Sequence, residues 1–237
     1  RNDTLLALFG HYKPATALVF CHTKKQCDEV ASFLRGRRID AQAIHGDLEQ
    51  RDRDRVLVQF SNNSCPVLVA TDVAARGLDI KSLEVVINYE LPHDPEIYVH
   101  RIGRTGRAGE TGRALSLFTE AEQFRVKGIE EYLSTPAIQD VPASLNREAS
   151  FTMKAPMETI QIDAGRKHKI RPGDILGALT GDAGLEGSQI GKIDIFEMMS
   201  YVALERKAVR QAMSYLSNGK VKGRNVRARK VGIKEKA

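Results

Sequence analysis

The chain reads Pro66-Val67-Leu68-Val69-Ala70 and then turns polar at Thr71 and Asp72. A short, unbroken apolar run of this kind predicts a strand buried on both faces, as strands of parallel sheets are. The polar residues stand at the carboxyl end of that strand, and this is the end at which open α/β sheets bind ligands. The stretch therefore predicts the kind of sheet and the edge of it that carries function.

The same pattern recurs on both sides of this run. Further apolar runs lie at 17–21, 41–44, 84–88 and 113–118. Segments with a helical period separate them, at 4–10, 24–35, 50–60, 94–103 and 121–133. Apolar strands that alternate with helices predict a parallel sheet with helices on both of its faces.

The rhythm changes in the proline-spaced segment after residue 133, and the latter half of that segment predicts a linker. We expect a first domain over 1–142, a linker over 143–156 and a second domain over 157–237. In the second domain, strands are predicted at 158–163, 190–196, 199–204 and 225–231, and helices at 172–180 and 205–216. The order βαββαβ is typical of a small α+β fold like the RNA-recognition fold.

Composition places the chain among ordinary globular proteins, with 42% hydrophobic and 28% charged residues. No apolar run approaches the roughly 20 residues of a membrane helix, so we expect a cytoplasmic protein with no membrane partner. The three cysteines form no C-x-x-C pair, and this favours buried, reduced thiols over disulfides or metal ligands. We expect no metal site among these residues.

Charge is concentrated in the second domain. Residues 155–237 hold 16 Lys/Arg and 9 Asp/Glu, a net charge of +7, whereas residues 1–154 hold 20 and 21, a net charge of −1. Positive charge gathered in a small domain indicates binding to a phosphate backbone.

The stretch His100-Arg101-Ile102-Gly103-Arg104-Thr105-Gly106-Arg107 places arginines three residues apart between glycines. A guanidinium keeps its charge and offers a planar fork of donors that matches phosphate oxygens. Two such forks, Arg104 and Arg107, suit stabilisation of a transferring γ-phosphoryl group. A solvated basic loop and a simple RNA-phosphate contact are the alternatives for this motif taken alone.

Taken together, the motifs resemble the second RecA-like domain of DEAD-box RNA helicases over residues 18–118. Glu90 stands where that family more often has aspartate. The matching segments are Leu18-Val19-Phe20-Cys21 (motif IV), 44–53 (motif IVa), 70–80 (motif V), 86–92 and 100–107 (motif VI).

The resemblance implies roles for individual residues. It implies that Asp79 holds the ATP ribose, that Arg104 and Arg107 contact the γ-phosphate and its transition state, and that His100 couples to the nucleotide. Taken singly, a capping Asp79, a turn Gly77 and a surface Arg76 are equally good explanations. The positions implied to contact RNA in this domain are Gln50, Arg53, Thr71, Arg76, Gly77 and Arg101.

Part of the expected active site is absent from the sequence. It contains no G-x-x-x-x-G-K-[S/T] and no Asp-Glu-Ala-Asp. The phosphate cradle, the Mg²⁺ ligands and the residue that orients water are therefore expected on a missing N-terminal RecA-like domain. We expect this chain to be the C-terminal half of an RNA-dependent ATPase, with ATP and Mg²⁺ as cofactors, and to be inactive alone.

The second domain resembles the C-terminal module of DbpA-type DEAD-box proteins, through residues 171–181 and Ile190-Gly191-Lys192-Ile193. That resemblance implies binding to a hairpin of large-subunit (23S) ribosomal RNA and a role in assembly of the large ribosomal subunit. The strand at 199–204 supplies one aromatic for base stacking, Tyr201, and His168 is a second candidate base contact. The other candidates are basic: Arg166, Lys167, Lys169, Arg171, Lys220, Lys222, Arg224, Arg227, Arg229 and Lys230. A solvated surface is the alternative for each basic residue, and a place in the core or in support of a neighbouring side chain is the alternative for Tyr201 and His168.

Two rival functions remain at this stage. One is a DNA helicase of the same superfamily, whose second domain also carries an R-x-x-R loop. The other is an RNA-binding adaptor without enzymatic activity.

Overall fold

The computed structural model describes residues 1–76, 83–106, 112–145 and 151–233. Its contacts form two compact units, one of residues 1–53 and 66–154 and one of residues 54–65 and 155–237. The break after residue 154 falls inside the segment predicted as a linker. The sequence did not predict that residues 54–65 group with the C-terminal part.

The first unit is built on a five-stranded sheet. Its strands run in the order β2-β3-β1-β4-β5, and all four neighbouring pairs are parallel. The prediction of a parallel, RecA-like sheet is confirmed, and β1, β3 and β4 are buried throughout, as their apolar runs require. The strands are β1 (Ala17–Phe20), β2 (Ala41–Ile44), β3 (Val67–Ala70), β4 (Val85–Asn88) and β5 (Arg113–Ser116).

The α-helices described up to residue 145 are α1 (Asn2–Tyr12), α2 (Lys24–Gly36), α3 (Gln50–Ser61), α4 (Asp72–Ala75), α5 (Pro95–Ile102) and α6 (Gln123–Leu133). Helix α3 belongs to the first unit up to residue 53 and to the second unit from residue 54. In α2 the Thr23 hydroxyl caps the helix by accepting from the Gln26 N–H. The buried face of α2 begins at Cys27. A hydrogen bond with Cys27, together with burial, raises the pKa of the Cys21 thiol, so the Cys21 thiol stays protonated.

The second unit contains a four-stranded antiparallel sheet in the order β11-β6-β8-β7. The order βαββαβ is confirmed. One difference is the predicted last strand, which begins only at residue 228, because 220–225 form a separate hairpin. The elements are β6 (Met157–Ile162), α7 (Pro172–Gly177), β7 (Ile190–Ile195), β8 (Ser200–Glu205), α8 (Val209–Asn218), β9 (Lys220–Val221), β10 (Arg224–Asn225) and β11 (Ala228–Lys230).

One face of this second sheet forms the core of the unit. Alternate residues of β6 and β8 are fully buried with the apolar sides of α7 and α8, among them Ile160, Val202, Ile175 and Leu216. In the described parts of both units, no helix is both long and apolar enough to cross a membrane.

Candidate nucleotide and RNA site

Helix α5 carries the first half of motif VI, and its start follows from the local sequence. Asp94 accepts the Glu96 N–H at 2.8 Å, and Pro95 occupies the first turn, where no N–H is needed. The helix ends at Ile102, so His100 and Arg101 lie in its last turn and Arg104 just beyond it. The cap therefore fixes the start of the helix whose last turn carries His100 and Arg101.

Arg101 is 1% exposed, and its guanidinium is surrounded by acceptors. Its Nε and Nη2 donate to the two carboxylate oxygens of Asp72, at 2.6 and 2.8 Å. Its Nη1 donates to Asn88 Oδ1 at 3.0 Å and to the Glu90 carbonyl oxygen at 2.9 Å. The guanidinium also lies 5.0 Å from the ring centroid of Phe20. One side chain thus joins motifs IV, V and VI.

This arrangement corrects the expectation that Arg101 contacts RNA directly. Its guanidinium donates four hydrogen bonds within the protein and is almost fully buried, so it is not placed to contact an RNA strand. Arg101 is instead a positioning residue, because its bidentate bond orients Asp72, the first residue of the short helix α4.

A cavity of about 260 Å³ opens beside this network. Arg76 and His100 are exposed at it, with the His100 side chain 72% exposed and its Nε2 3.6 Å from a Glu96 oxygen. Arg104 is half-buried, and the chain after it is held by the Thr105 hydroxyl, which donates to the Leu83 carbonyl. The lining residues are Phe20, Asp72, Ala75, Arg76, Ile97, His100, Arg101 and Arg104.

The other residues predicted from the helicase motifs are placed less uniformly. Thr71 is 9% exposed at the start of α4, and Gln50 is exposed at the start of α3. Arg53 Nη2 donates to the Ala74 carbonyl at 2.7 Å, so one of its donors already supports α4. Gly77, Asp79 and Arg107 lie outside the described residues, and their predicted roles stay predictions.

The motif segments contain Asp72, Asn88 and Glu90, but the sequence did not indicate a role for them. In the structure these three residues surround the Arg101 guanidinium. A carboxylate directly after a buried strand was a signal for Asp72. Glu90 has a second role, because its carboxylate accepts from Arg1 Nη1 at 2.6 Å and lies 3.1 Å from His22 Nδ1. Burial lowers the pKa of His22 despite that neighbouring carboxylate.

In the second unit, a loop at residues 165–171 is fixed to the turn between β7 and β8. The N–H groups of Arg166 and Lys167 donate to the carbonyls of Phe196 and Glu197, at 2.9 and 3.0 Å. Arg166 Nε also donates to the Glu197 carboxylate at 2.8 Å. The backbone of this basic loop is therefore ordered by the protein itself.

The hairpin of β9 and β10 joins the same surface. Lys222 Nζ donates to the Lys169 carbonyl at 2.6 Å and to the Asp174 carboxylate at 3.2 Å. The Arg171 N–H and then Lys222 hold the pKa of Asp174 below its usual value. Loop and hairpin form one surface, which we call the basic surface; its exposed members are Arg166, Lys167, Lys169, Arg171, Lys220, Lys222 and Arg224.

The remaining predicted RNA contacts of this unit differ from expectation. Tyr201 is 2% exposed, its ring meets Phe196 edge-on at 5.5 Å, and its hydroxyl donates to Met199 Sδ at 3.2 Å. Of the two roles that the sequence left open for Tyr201, a base contact and a place in the core, the structure shows the buried one. Arg229 is exposed, but its Nη2 donates to Gln161 Oε1 at 3.0 Å.

Comparison with known proteins adds two family matches. Residues 1–109 match the family described as helicase conserved C-terminal domain, and residues 159–230 match the DbpA RNA binding domain. The chain is 49% identical over 225 residues to the ATP-dependent RNA helicase DbpA of Escherichia coli strain K12, covering 95% of this chain and 49% of that protein. The chain thus spans about half the length of this curated relative.

Two solved structures share the fold of part of the chain. The Escherichia coli DEAD-box protein SrmB, solved with regulator of ribonuclease activity A, has a TM-score of 0.58 and 31% identity, over 62% of this chain and 86% of that one. Dbp5 of Saccharomyces cerevisiae, solved with RNA and ADP BeF3, has a TM-score of 0.55 and 33% identity, over 59% of this chain and 38% of that one.

Proposed function

Since the chain belongs to the DEAD-box RNA helicases of the DbpA type, we propose that it supplies the second RecA-like domain and the RNA-binding module of an ATP-dependent RNA helicase. The observation that carries the proposal is the cavity in which residues of motifs IV, V and VI meet. An opening that Arg76, His100 and Arg104 line suits a polyphosphate, because their side chains can donate to phosphate oxygens.

In the proposed mechanism, ATP and RNA bring a first RecA-like domain against this one. Arg104, with Arg107, stabilises the negative charge that develops on the γ-phosphoryl oxygens. His100 contacts the nucleotide and Asp79 accepts from the ribose hydroxyls. Mg²⁺ would be bound by ligands of the first domain and would neutralise phosphate charge there. Arg101 acts indirectly, because it sets the relative positions of α4 and α5.

RNA would bind along α4 and the start of α3. Arg76 is exposed at the cavity, and Gln50 is exposed at the first turn of α3. Thr71, Arg53 and Gly77 complete the set proposed to contact the sugar-phosphate strand. Contacts of this kind position a strand without reading its sequence, which suits an enzyme that opens short duplexes of many sequences.

The module is proposed to recognise a structured RNA, a hairpin of large-subunit ribosomal RNA, and to target the enzyme to assembly of the large subunit in the cytoplasm. The basic surface supports this, because its loop and hairpin are held together by Lys222. The buried Tyr201 supports recognition through loops and phosphates in place of stacking on the sheet.

The test compares the 237-residue chain with a whole protein that also contains the N-terminal half found in the relatives. ATPase activity and RNA binding are measured for both. The chain alone should not hydrolyse ATP. In the whole protein, Arg104→Ala should lower RNA-stimulated turnover by about 10³-fold, the scale of arginine fingers, and should leave binding to a ribosomal hairpin unchanged. Lys127→Ala, which removes an exposed charge on α6, is the matched control.

Other outcomes favour the rivals. A whole protein that binds RNA but never hydrolyses ATP would be an adaptor. Stimulation by DNA in preference to RNA would indicate a DNA helicase. Loss of hairpin binding in Arg104→Ala would make Arg104 a plain RNA contact.

A further inference from the structure

We propose that His168 is a residue that reads a base in the bound RNA, through an Nε2–H donor that Gly165 holds in one orientation. The inference rests on the proposed function of the module, and it adds the residue that confers specificity and the chemical group it recognises. The partner group is a hydrogen-bond acceptor on the edge of an unpaired base, either a carbonyl oxygen or a ring nitrogen.

A hydrogen bond to the imidazole ring of His168 determines which ring nitrogen carries the proton. The Gly165 N–H donates to His168 Nδ1 at 3.1 Å. A neutral imidazole has one acceptor nitrogen and one N–H, so an accepting Nδ1 leaves the proton on Nε2. His168 is half-buried, so the loop packs around part of the residue and leaves the rest of it accessible.

Backbone hydrogen bonds and a close approach at Gly165 hold the 165–171 loop in one conformation. The His168 and Ile170 N–H groups both donate to the Gly165 carbonyl, at 2.9 and 3.2 Å. A Cβ at Gly165 would lie 2.2 Å from the Phe196 carbonyl oxygen, so only glycine allows this approach to the turn between β7 and β8. Lys169 completes the loop with a left-handed backbone, φ 58°. The ring is thus placed before RNA arrives, and little ordering entropy is lost on binding.

His168 differs from the residues around it in the length and freedom of its side chain. Arg166, Lys167, Lys169 and Arg171 are exposed cations on long, flexible side chains around the histidine. Such groups bind phosphates and fix register, whereas sequence is read by directed hydrogen bonds to base edges. Tyr201 is buried and offers no exposed ring. His168 combines a short side chain, a fixed orientation and a neutral, directional donor, which is what base reading needs.

The Nε2–H donor of His168 favours RNA bases that present an acceptor to it. In structured RNA, the base edges open to a protein are those of loops and bulges. A base whose acceptor meets Nε2–H is favoured, and a base that presents an amino group there leaves two donors facing each other. Leaving a buried donor without its acceptor costs about 1–3 kcal/mol, which corresponds to a preference of about tenfold for the accepting base.

The experiment uses the complete 237-residue chain and two RNA probes: a pool of hairpins with a randomised loop and a perfect RNA duplex of equal length. Two isosteric variants separate the two ring nitrogens. In His168→Asn, Oδ1 can still accept from the Gly165 N–H, but the amide is too short to reach the Nε2 position. In His168→Gln, the amide N–H reaches the Nε2 position. Lys167→Gln is the matched control, since it removes the neighbouring charge. Circular dichroism verifies that each variant folds.

We expect the wild type and His168→Gln to enrich the same hairpin loops. His168→Asn should lower the preference for the enriched hairpin over the duplex by about tenfold, and Lys167→Gln should weaken both probes equally. An Asn variant that keeps the full preference overturns the role of His168 and leaves the proposed function standing. A wild-type chain that prefers no hairpin to the duplex overturns the proposed function and the inference together.

Discussion

A buried guanidinium is tolerated only when its donors meet acceptors, and Arg101 meets this condition with partners from three segments. Asp72 comes from the end of β3, Asn88 and Glu90 from the end of β4, and Phe20 from β1. The carboxyl ends of adjacent parallel strands meet at one edge, which is why residues distant in sequence can surround one side chain. We therefore expect any change at Arg101 to affect the stability of the fold.

Arg101→Met is expected to lower the free energy of unfolding by about 3 kcal/mol, because it leaves the Asp72 carboxylate and the Glu90 carbonyl without their donor. Arg76→Met, at the exposed rim of the same cavity, should change it by less than about 0.5 kcal/mol. Urea unfolding of both variants measures the difference. Equal stabilities would mean that the buried network contributes nothing to folding.

Gly165→Ala should destabilise the module by about 1–3 kcal/mol, because the added methyl group would overlap the Phe196 carbonyl and the loop would have to shift. Gly173→Ala is the matched control in α7, where a Cβ meets nothing within 4 Å, and there we expect no loss or a small gain. Thermal unfolding compares the two. A tolerated Gly165→Ala would mean that the loop can leave the turn between β7 and β8 without cost.

At the scale of elements, apolar periodicity predicted most helices and strands, and caps predicted helix starts such as Asp94 of α5. Two elements were missed for physical reasons. Helix α4 is a single turn of four residues, too short to show a period. The hairpin of β9 and β10 turns through Lys222 and Gly223, with φ 52° and 73°, where Asn-Gly would be the usual signal. Lys222 is held in this backbone state by Asp174 and the Lys169 carbonyl, which are contacts distant in sequence.

The cap of α5 supplies a prediction at the same scale. Asp94→Ala should lower the free energy of unfolding by about 1 kcal/mol, because the Glu96 N–H loses its acceptor. Asp94→Asn retains an oxygen at the same position and should be nearly neutral. Chemical denaturation tests the pair, and RNA-stimulated ATPase of the whole protein should fall in Asp94→Ala, since α5 carries His100 and Arg101. A stable, fully active Asp94→Ala would show that packing alone fixes the helix.

At the scale of the whole molecule, the division of charge between residues 1–154 and 155–237 was visible in the sequence, and so were the motifs that meet at the cavity. The sequence could not show which arginines are buried. Arg101 and Arg104 stand three residues apart in one motif, yet Arg101 is buried and Arg104 is half-buried. Likewise Tyr201 and Val202 are neighbours on β8, and both are buried, although a half-exposed strand would leave one of them open.

The basic surface leads to a prediction about salt. Each phosphate neutralised by a cation releases counterions, so the logarithm of the binding constant falls linearly with the logarithm of salt concentration, by about 0.7 to 0.9 per phosphate. Replacing Lys167, Lys169, Arg171 and Arg224 by Gln together should therefore make this slope shallower by about 3. The measurement is a titration of a ribosomal hairpin with the 237-residue chain at several salt concentrations.

Tyr201→Phe tests whether the hydroxyl that reaches Met199 contributes to RNA binding, because it removes only that hydroxyl and keeps the ring. We expect it to change neither affinity nor slope, since the buried ring does not meet RNA. Lys222→Gln should weaken RNA binding but change the salt slope less than Lys169→Gln does. The Lys222 ammonium already donates to the Asp174 carboxylate and holds the hairpin in place. A nearly flat salt dependence, with full affinity in the fourfold Gln variant, would mean that the basic surface is solvated charge.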